Sequence, residues 1–168
     1  MRKKKILIVL GGNSKEREIS IKTGKACYKA IRNLGYKADF FDPKYQPFFK
    51  IKRKGADIIF NALHGKEGED GLAQSFFEFL KIPYTHSGVI SSMNAMNKLS
   101  SKKIFIKNRL RTPKFTIIKK ETFNDKNLKN LIIKNNFIFP IVVKPINEGS
   151  SIGVKISNNF DKFRKNIR

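Results

Sequence analysis

The sequence predicts an α/β protein, a three-layer domain built on a parallel sheet and followed by a second, smaller unit. Three observations carry that prediction: short apolar runs alternate with helical periodicity, each run ends in glycine or a polar loop, and no apolar run approaches membrane-spanning length. At roughly 150 residues per domain, 168 residues hold one domain and part of a second.

The first run, Ile6–Leu10, ends at Gly11-Gly12 and reads as a buried parallel strand. With Met1-Arg-Lys-Lys-Lys before it, the run imitates a signal peptide, but it is too short and stops at the charged stretch Lys15–Glu18. Ser14 is the expected helix N-cap, with Glu16 and Glu18 in the first turn where the dipole favours acids. Ile19, Thr23, Ala26/Cys27, Ala30/Ile31 and Leu34 then recur at helical spacing until Gly35. Tyr36–Phe41 and Asp57–Leu63 read as further strands, His64–Gly71 as a glycine-punctuated loop, and Leu72–Leu80 as a helix. In that helix Phe76, Phe77 and Phe79 alternate between core and surface.

The domain boundary is placed at 1–95 and 96–168. A helix is expected from Met93 to about Lys107, then strands at Phe115–Ile118, Ile141–Lys144 and Val154–Ile156, with a helical stretch near Asn124–Asn136. From Phe160 to Arg168 a new amphipathic pattern begins. Cys27, Met93 and Met96 are expected in the core. A single cysteine excludes an internal disulfide and any CxxC site, and a reducing, cytoplasmic location is expected.

Thirty-six Lys plus Arg against thirteen acids leave a net charge of +23. The basic residues are spread along the chain with no recognition motif, so specific nucleic-acid binding is not expected. The excess of Lys, Asn, Ile and Phe follows A/T-rich codon usage, and weak adhesion to polyanions at low salt remains.

Three constellations carry chemistry. In Leu10-Gly-Gly-Asn-Ser-Lys-Glu-Arg-Glu-Ile-Ser20 a strand ends in glycines and opens a helix, which brings backbone N–H groups to the sheet's C-terminal edge. Glu16 there is either a ligand for an ammonium group or a plain helix-start acid. Asn61-Ala-Leu-His-Gly-Lys-Glu-Gly-Glu-Asp-Gly71 follows another strand to the same edge, and His64 is either a substrate contact or a satisfied structural histidine. Glu67, Glu69 and Asp70 lack a second ligand cluster, so no metal site is assigned. In Phe139-Pro-Ile-Val-Val-Lys-Pro-Ile-Asn-Glu-Gly-Ser-Ser-Ile-Gly-Val154, Lys144 ends an apolar strand before a Gly-Ser-Ser-x-Gly turn. That pattern suits nucleotide phosphates: a point charge, backbone N–H groups and the Ser150 and Ser151 hydroxyls.

Taken in this order, with Ile82-Pro-Tyr-Thr85, Ser87-Gly-Val89 and Met96-Asn-Lys98 between them, the constellations resemble the D-alanine–D-alanine ligases of the ATP-grasp superfamily over essentially the whole chain. The resemblance implies a partial ATP-grasp central subdomain after the first domain. It implies an enzyme that phosphorylates the carboxylate of one D-alanine with ATP, after which the amine of a second attacks the acyl phosphate, giving the dipeptide for peptidoglycan. It implies Glu16 on the first D-alanine's ammonium and His64 near its carboxylate. Lys98 and Lys144 fall on the ATP phosphates, and Glu148, Gly149, Ser150, Ser151 and Gly153 in the phosphate-covering loop, with Ser150 bonding towards Glu16.

The chain departs from the family at Asn97, usually aspartate, and at His86, usually glycine. Family members are about twice this length, and the remainder carries the acidic ligands for Mg2+ or Mn2+. The resemblance therefore implies an N-terminal portion that is inactive alone. It also suggests a homodimer through the first domain, which the positive charge opposes at low salt. The rival readings are a non-catalytic nucleotide- or partner-binding remnant and a ligase joining D-alanine to D-lactate or D-serine.

Overall fold

The computed structural model describes residues 3–119 and 124–167. It comprises two compact units, one up to Ser101 and one from Lys102. Lys120–Phe123, at the end of the Phe115 region, and Arg168 lie outside the described residues.

In the first unit three parallel strands, β1 (Lys5–Val9), β2 (Lys37–Phe41) and β3 (Ile58–Asn61), take the order β2-β1-β3. Side chains of a strand point alternately to its two faces, and here both faces are covered. Leu7 and Val9 pack with Phe41, Ile59, Ala73 and Phe77 on one side, while Ile8 and Leu10 meet Ile21, Tyr28 and Ile31 on the other. This is the expected three-layer arrangement. The segment Ile82–Thr85 extends the sheet beside β3, through Ile59 N–H to Pro83 O at 2.8 Å and Thr85 N–H to Ile59 O at 3.0 Å.

Helix α1 (Arg17–Asn33) covers one face, and α2 (Leu72–Phe79) with a short 3-10 helix at Phe48–Lys54 covers the other. The α1 helix starts later than expected. Ser14 is not its N-cap; Glu16 stands there, and the Ser14 hydroxyl accepts from Glu16 N–H at 3.2 Å. Its inward face is also rotated from the expected stripe. Ser20 and Gly24 are its buried positions, whereas Ile19 and Leu34 are 48% and 72% exposed. The reason is close approach: a Cβ on Gly24 would stand 2.5 Å from Leu10 Cδ2, so the helix lies on the sheet through its smallest residues. Cys27 is consequently half-buried rather than buried.

After α2 come α3 (Val89–Met96) and α4 (Lys98–Lys107), where one continuous helix was expected. Asn97 interrupts them in an extended conformation, and its side-chain oxygen accepts from Ser100 N–H at 3.0 Å. Asn97 is thus the N-cap of a new helix. Met93 is 56% exposed rather than in the core, while Phe77 is fully buried and Phe79 79% exposed, as the alternation required.

In the second unit α5 (Asp125–Lys134) precedes an antiparallel pair, β4 (Ile141–Val143) and β5 (Lys155–Ser157), and α6 (Phe160–Ile167) follows. Leu128, Ser157 and Phe163 are buried, and Phe139 meets Phe163 edge-on at 6.3 Å. Asn124 caps α5 through Asn127 N–H at 2.7 Å, and Arg164 of α6 reaches Asp125 at 2.8 Å. No strand forms at Phe115–Ile118, contrary to expectation. That stretch is held instead by Lys102, whose ammonium donates to Thr112 Oγ1 at 2.7 Å and Pro113 O at 2.9 Å and lies 5.0 Å from the Phe115 ring centroid.

Candidate functional site

Parallel strands deliver the loops after β1 and β3 to one edge of the sheet. The two loops are tied by a chain of hydrogen bonds. Gly11 N–H donates to Ser20 Oγ at 2.8 Å, and that hydroxyl donates to Ala62 O at 2.7 Å. The Ser14 hydroxyl donates to His64 O at 2.7 Å. Asp42, at the end of β2, accepts from Gly12 N–H at 3.0 Å and pairs with Arg17 at 2.7 Å. Burial pushes the Asp42 carboxyl up, but the Arg17 hydrogen bond and the backbone N–H groups of Gly12 and Lys44 reverse this and hold it below its ordinary value.

Glu16 is only 4% exposed, although it is an acid at a helix start. Its carboxylate occupies the space that a Cβ on Gly65 would need. Gly65 has φ +69° and directly follows His64, so Glu16 lies against the backbone next to His64. Glu16 is thus both the N-cap of α1 and a buried acid at close range to backbone.

Two carboxylates of the His64–Gly71 loop, Glu69 and Asp70, are engaged with nearby backbone. Glu69 accepts from Gly65 N–H at 2.7 Å, and Asp70 accepts from Glu67 N–H at 2.9 Å and Leu72 N–H at 3.2 Å. Asn61 and Gln74 both donate to Gly68 O, at 3.0 and 2.9 Å. Among the described residues no three His, Cys, Asp or Glu side chains gather to hold a metal ion.

His86, where the resembling family has glycine, adopts φ +79°, with its ring edge-on to Phe60 at 5.8 Å. The backbone thus retains the left-handed turn that glycine favours. Lys98 is the first residue of α4 and half-buried.

In the second unit Lys144 stands exposed directly after β4. The turn from Glu148 to Gly153 folds back on it: a Cβ at Gly153 would stand 2.6 Å from the Pro145 ring. Ile152 N–H donates to Gly149 O at 2.9 Å, and Ser150 and Ser151 both take positive φ, +43° and +61°. Two consecutive non-glycine residues in this region are strained, a condition typical of ligand-clamping loops. Burial, then the charge of Lys144, pulls the Lys102 ammonium below its ordinary value, so Lys102 shares this neighbourhood. Sequence reasoning missed Lys102, because its spacing from Thr112 and Pro113 follows no periodic pattern.

A three-layer parallel unit with ligand-ready loops, followed by a lysine strand and a Gly-Ser-Ser turn, is the construction of ATP-grasp proteins. Residues 38–87 match the family model described as D-ala D-ala ligase N-terminus, and residues 104–168 match D-ala D-ala ligase C-terminus. A D-alanine--D-alanine ligase of Pelagibacter ubique is 54% identical over 98% of this chain and 53% of its own length. That of the Wolbachia of Brugia malayi is 44% identical over 95% of this chain and 45% of its own length. The crystal structure of the D-alanine--D-alanine ligase from Bacillus anthracis superposes with TM-score 0.82 and 35% identity, covering 98% of this chain and 52% of that one. Its complex with ATP gives TM-score 0.78 and 33% identity, over 96% and 53%. The chain belongs to the D-alanine–D-alanine ligase family and corresponds to an N-terminal portion of it. It spans about half the length of the curated relatives it matches.

Proposed function

We propose that the chain supplies the first D-alanine site and part of the ATP site of a D-alanine–D-alanine ligase that serves peptidoglycan synthesis in the cytoplasm. The observation that carries this reading is the buried Glu16 carboxylate set against Gly65, beside His64, at the ligand edge of a parallel sheet. Glu16 accepts from the substrate ammonium, and His64 faces its carboxylate. ATP, when bound, supplies the phosphoryl group that activates that carboxylate.

On this reading Lys98 and Lys144 neutralise phosphate charge, while Glu148, Gly149, Ser150, Ser151 and Gly153 form the covering turn. Such chemistry depends on positioning and charge neutralisation more than on covalent help from the protein. Because the family resemblance places the magnesium ligands in the remaining half, the chain alone is expected to bind but not turn over. Assembly through the first unit belongs to the same reading, where Leu72, Phe79 and Ile90 expose apolar surface.

The test is titration of the chain with D-alanine and with ATP, against Glu16→Gln and Lys144→Ala. D-alanine binding abolished by the first substitution and ATP binding weakened by the second support the reading. D-alanine binding that survives Glu16→Gln overturns it. D-alanine-dependent phosphate release by the chain, above the Lys144→Ala background, overturns the statement that it does not turn over.

A further inference from the structure

We infer that Thr23 and Glu69 are positioning residues that set the tautomer of His64, placing the proton of the neutral ring on Nδ1 and an acceptor lone pair on Nε2. Each ring nitrogen has one of these neighbours. Thr23 Oγ1, on α1, lies 3.2 Å from Nε2, and Glu69 Oε1 lies 3.7 Å from Nδ1. The backbone is held as well, since His64 O accepts from the Ser14 hydroxyl and Gly65 N–H donates to the other Glu69 oxygen, both at 2.7 Å.

The chemistry of the neighbours decides between the tautomers. A carboxylate facing Nδ1 attracts an N–H there and repels a lone pair. A hydroxyl facing Nε2 can rotate to donate, and the hydrogen bond made by one imidazole nitrogen sets where the other carries its proton. With the proton on Nδ1 both contacts are favourable; with the proton on Nε2 the Nδ1 lone pair points at Glu69. The side chains of His64 and Glu69 are 29% and 48% exposed, so water screens their attraction, and the contact with Thr23 is needed to complete the preference.

The functional meaning rests on the reading of His64 as a substrate contact. At 3.7 Å, Glu69 orients the Nδ1–H without consuming it in a hydrogen bond. Nδ1–H is then the donor left to an incoming carboxylate, while Nε2 is turned to Thr23. Thr23 lay on the expected helical stripe, but nothing in its spacing connected it to a histidine 41 positions away.

The test is nitrogen NMR of the two histidine rings in the full chain, above pH 7.5 or so, about a unit past the ordinary histidine value. His86→Asn, which tolerates positive φ, assigns the His64 signals. The expected spectrum shows Nδ1 protonated and Nε2 bare. Thr23→Val should lose that signature in favour of Nε2–H, Thr23→Ser should restore it, and Glu69→Gln should weaken it, all with an unchanged amide spectrum. An Nε2–H ring in the native chain, or a signature that Thr23→Val leaves intact, overturns the inference. D-alanine is added afterwards: an Nδ1–H ring that ignores it supports the tautomer assignment and overturns only the substrate reading.

Discussion

Gly65 shows how single residues hold the two loops in register. Its φ of +69° is unfavourable for most side chains, and its missing Cβ makes room for the Glu16 carboxylate. Gly65→Ala is expected to lose about 1–3 kcal/mol by urea unfolding and to remove D-alanine binding. Asp42 does a related task on the other side of the β1 loop, joining Gly12 and Arg17. Its folded carboxyl titrates below the ordinary 3.8. The stability it contributes is therefore complete above that value and is lost as pH falls through the lower folded one. Asp42→Asn should be less stable than the native chain at neutral pH, and the gap should narrow as pH falls below the ordinary 3.8. Paired urea curves at both ends check this; a gap independent of pH would contradict it.

At the scale of elements, asparagine caps mark where α4, α5 and α6 begin. Asn97 accepts from Ser100 N–H, and Asn124 and Asn159 accept likewise from Asn127 and Lys162. This explains why the expected helix from Met93 to Lys107 divides, and why the departure from aspartate at Asn97 is mild. Both side chains offer the same capping oxygen, and aspartate adds only the favourable interaction of an anion with the helix dipole. Asn97→Ala is expected to cost about 1 kcal/mol in thermal or urea unfolding, and Asn97→Asp to be neutral or slightly stabilising. The cap signal is present in the sequence, three residues ahead of Ser100. It is overlooked there because the apolar periodicity runs on through it. The α1 face is a different case, since Gly24 and Ser20 face the sheet while the more hydrophobic Ile19 faces water.

For the molecule as a whole, charge and chemistry are separate matters. The net +23 is spread over the chain, and the proposed function places only Lys98 and Lys144 on phosphate. Binding to RNA is accordingly expected to be loose and to fall steeply with salt, as counterion release dictates. Electrophoretic shifts at about 50 and 200 mM salt check this, with a loss of affinity on the order of 10³-fold for about six phosphate contacts. Among the described residues no helix is long and apolar enough to cross a membrane. In the first unit the buried apolar residues lie on the two faces of the sheet.

By itself, the sequence determined the α/β class, three parallel strands and most helices. Strand alternation, glycine breaks and loop motifs are local signals, readable within about ten residues. Only the tertiary structure decided that Glu16 is buried against Gly65, that α1 turns Gly24 to Leu10, and that Phe115–Ile118 finds no strand to pair with. These depend on partners far away in the chain, where close approach and strand pairing outweigh local hydrophobicity.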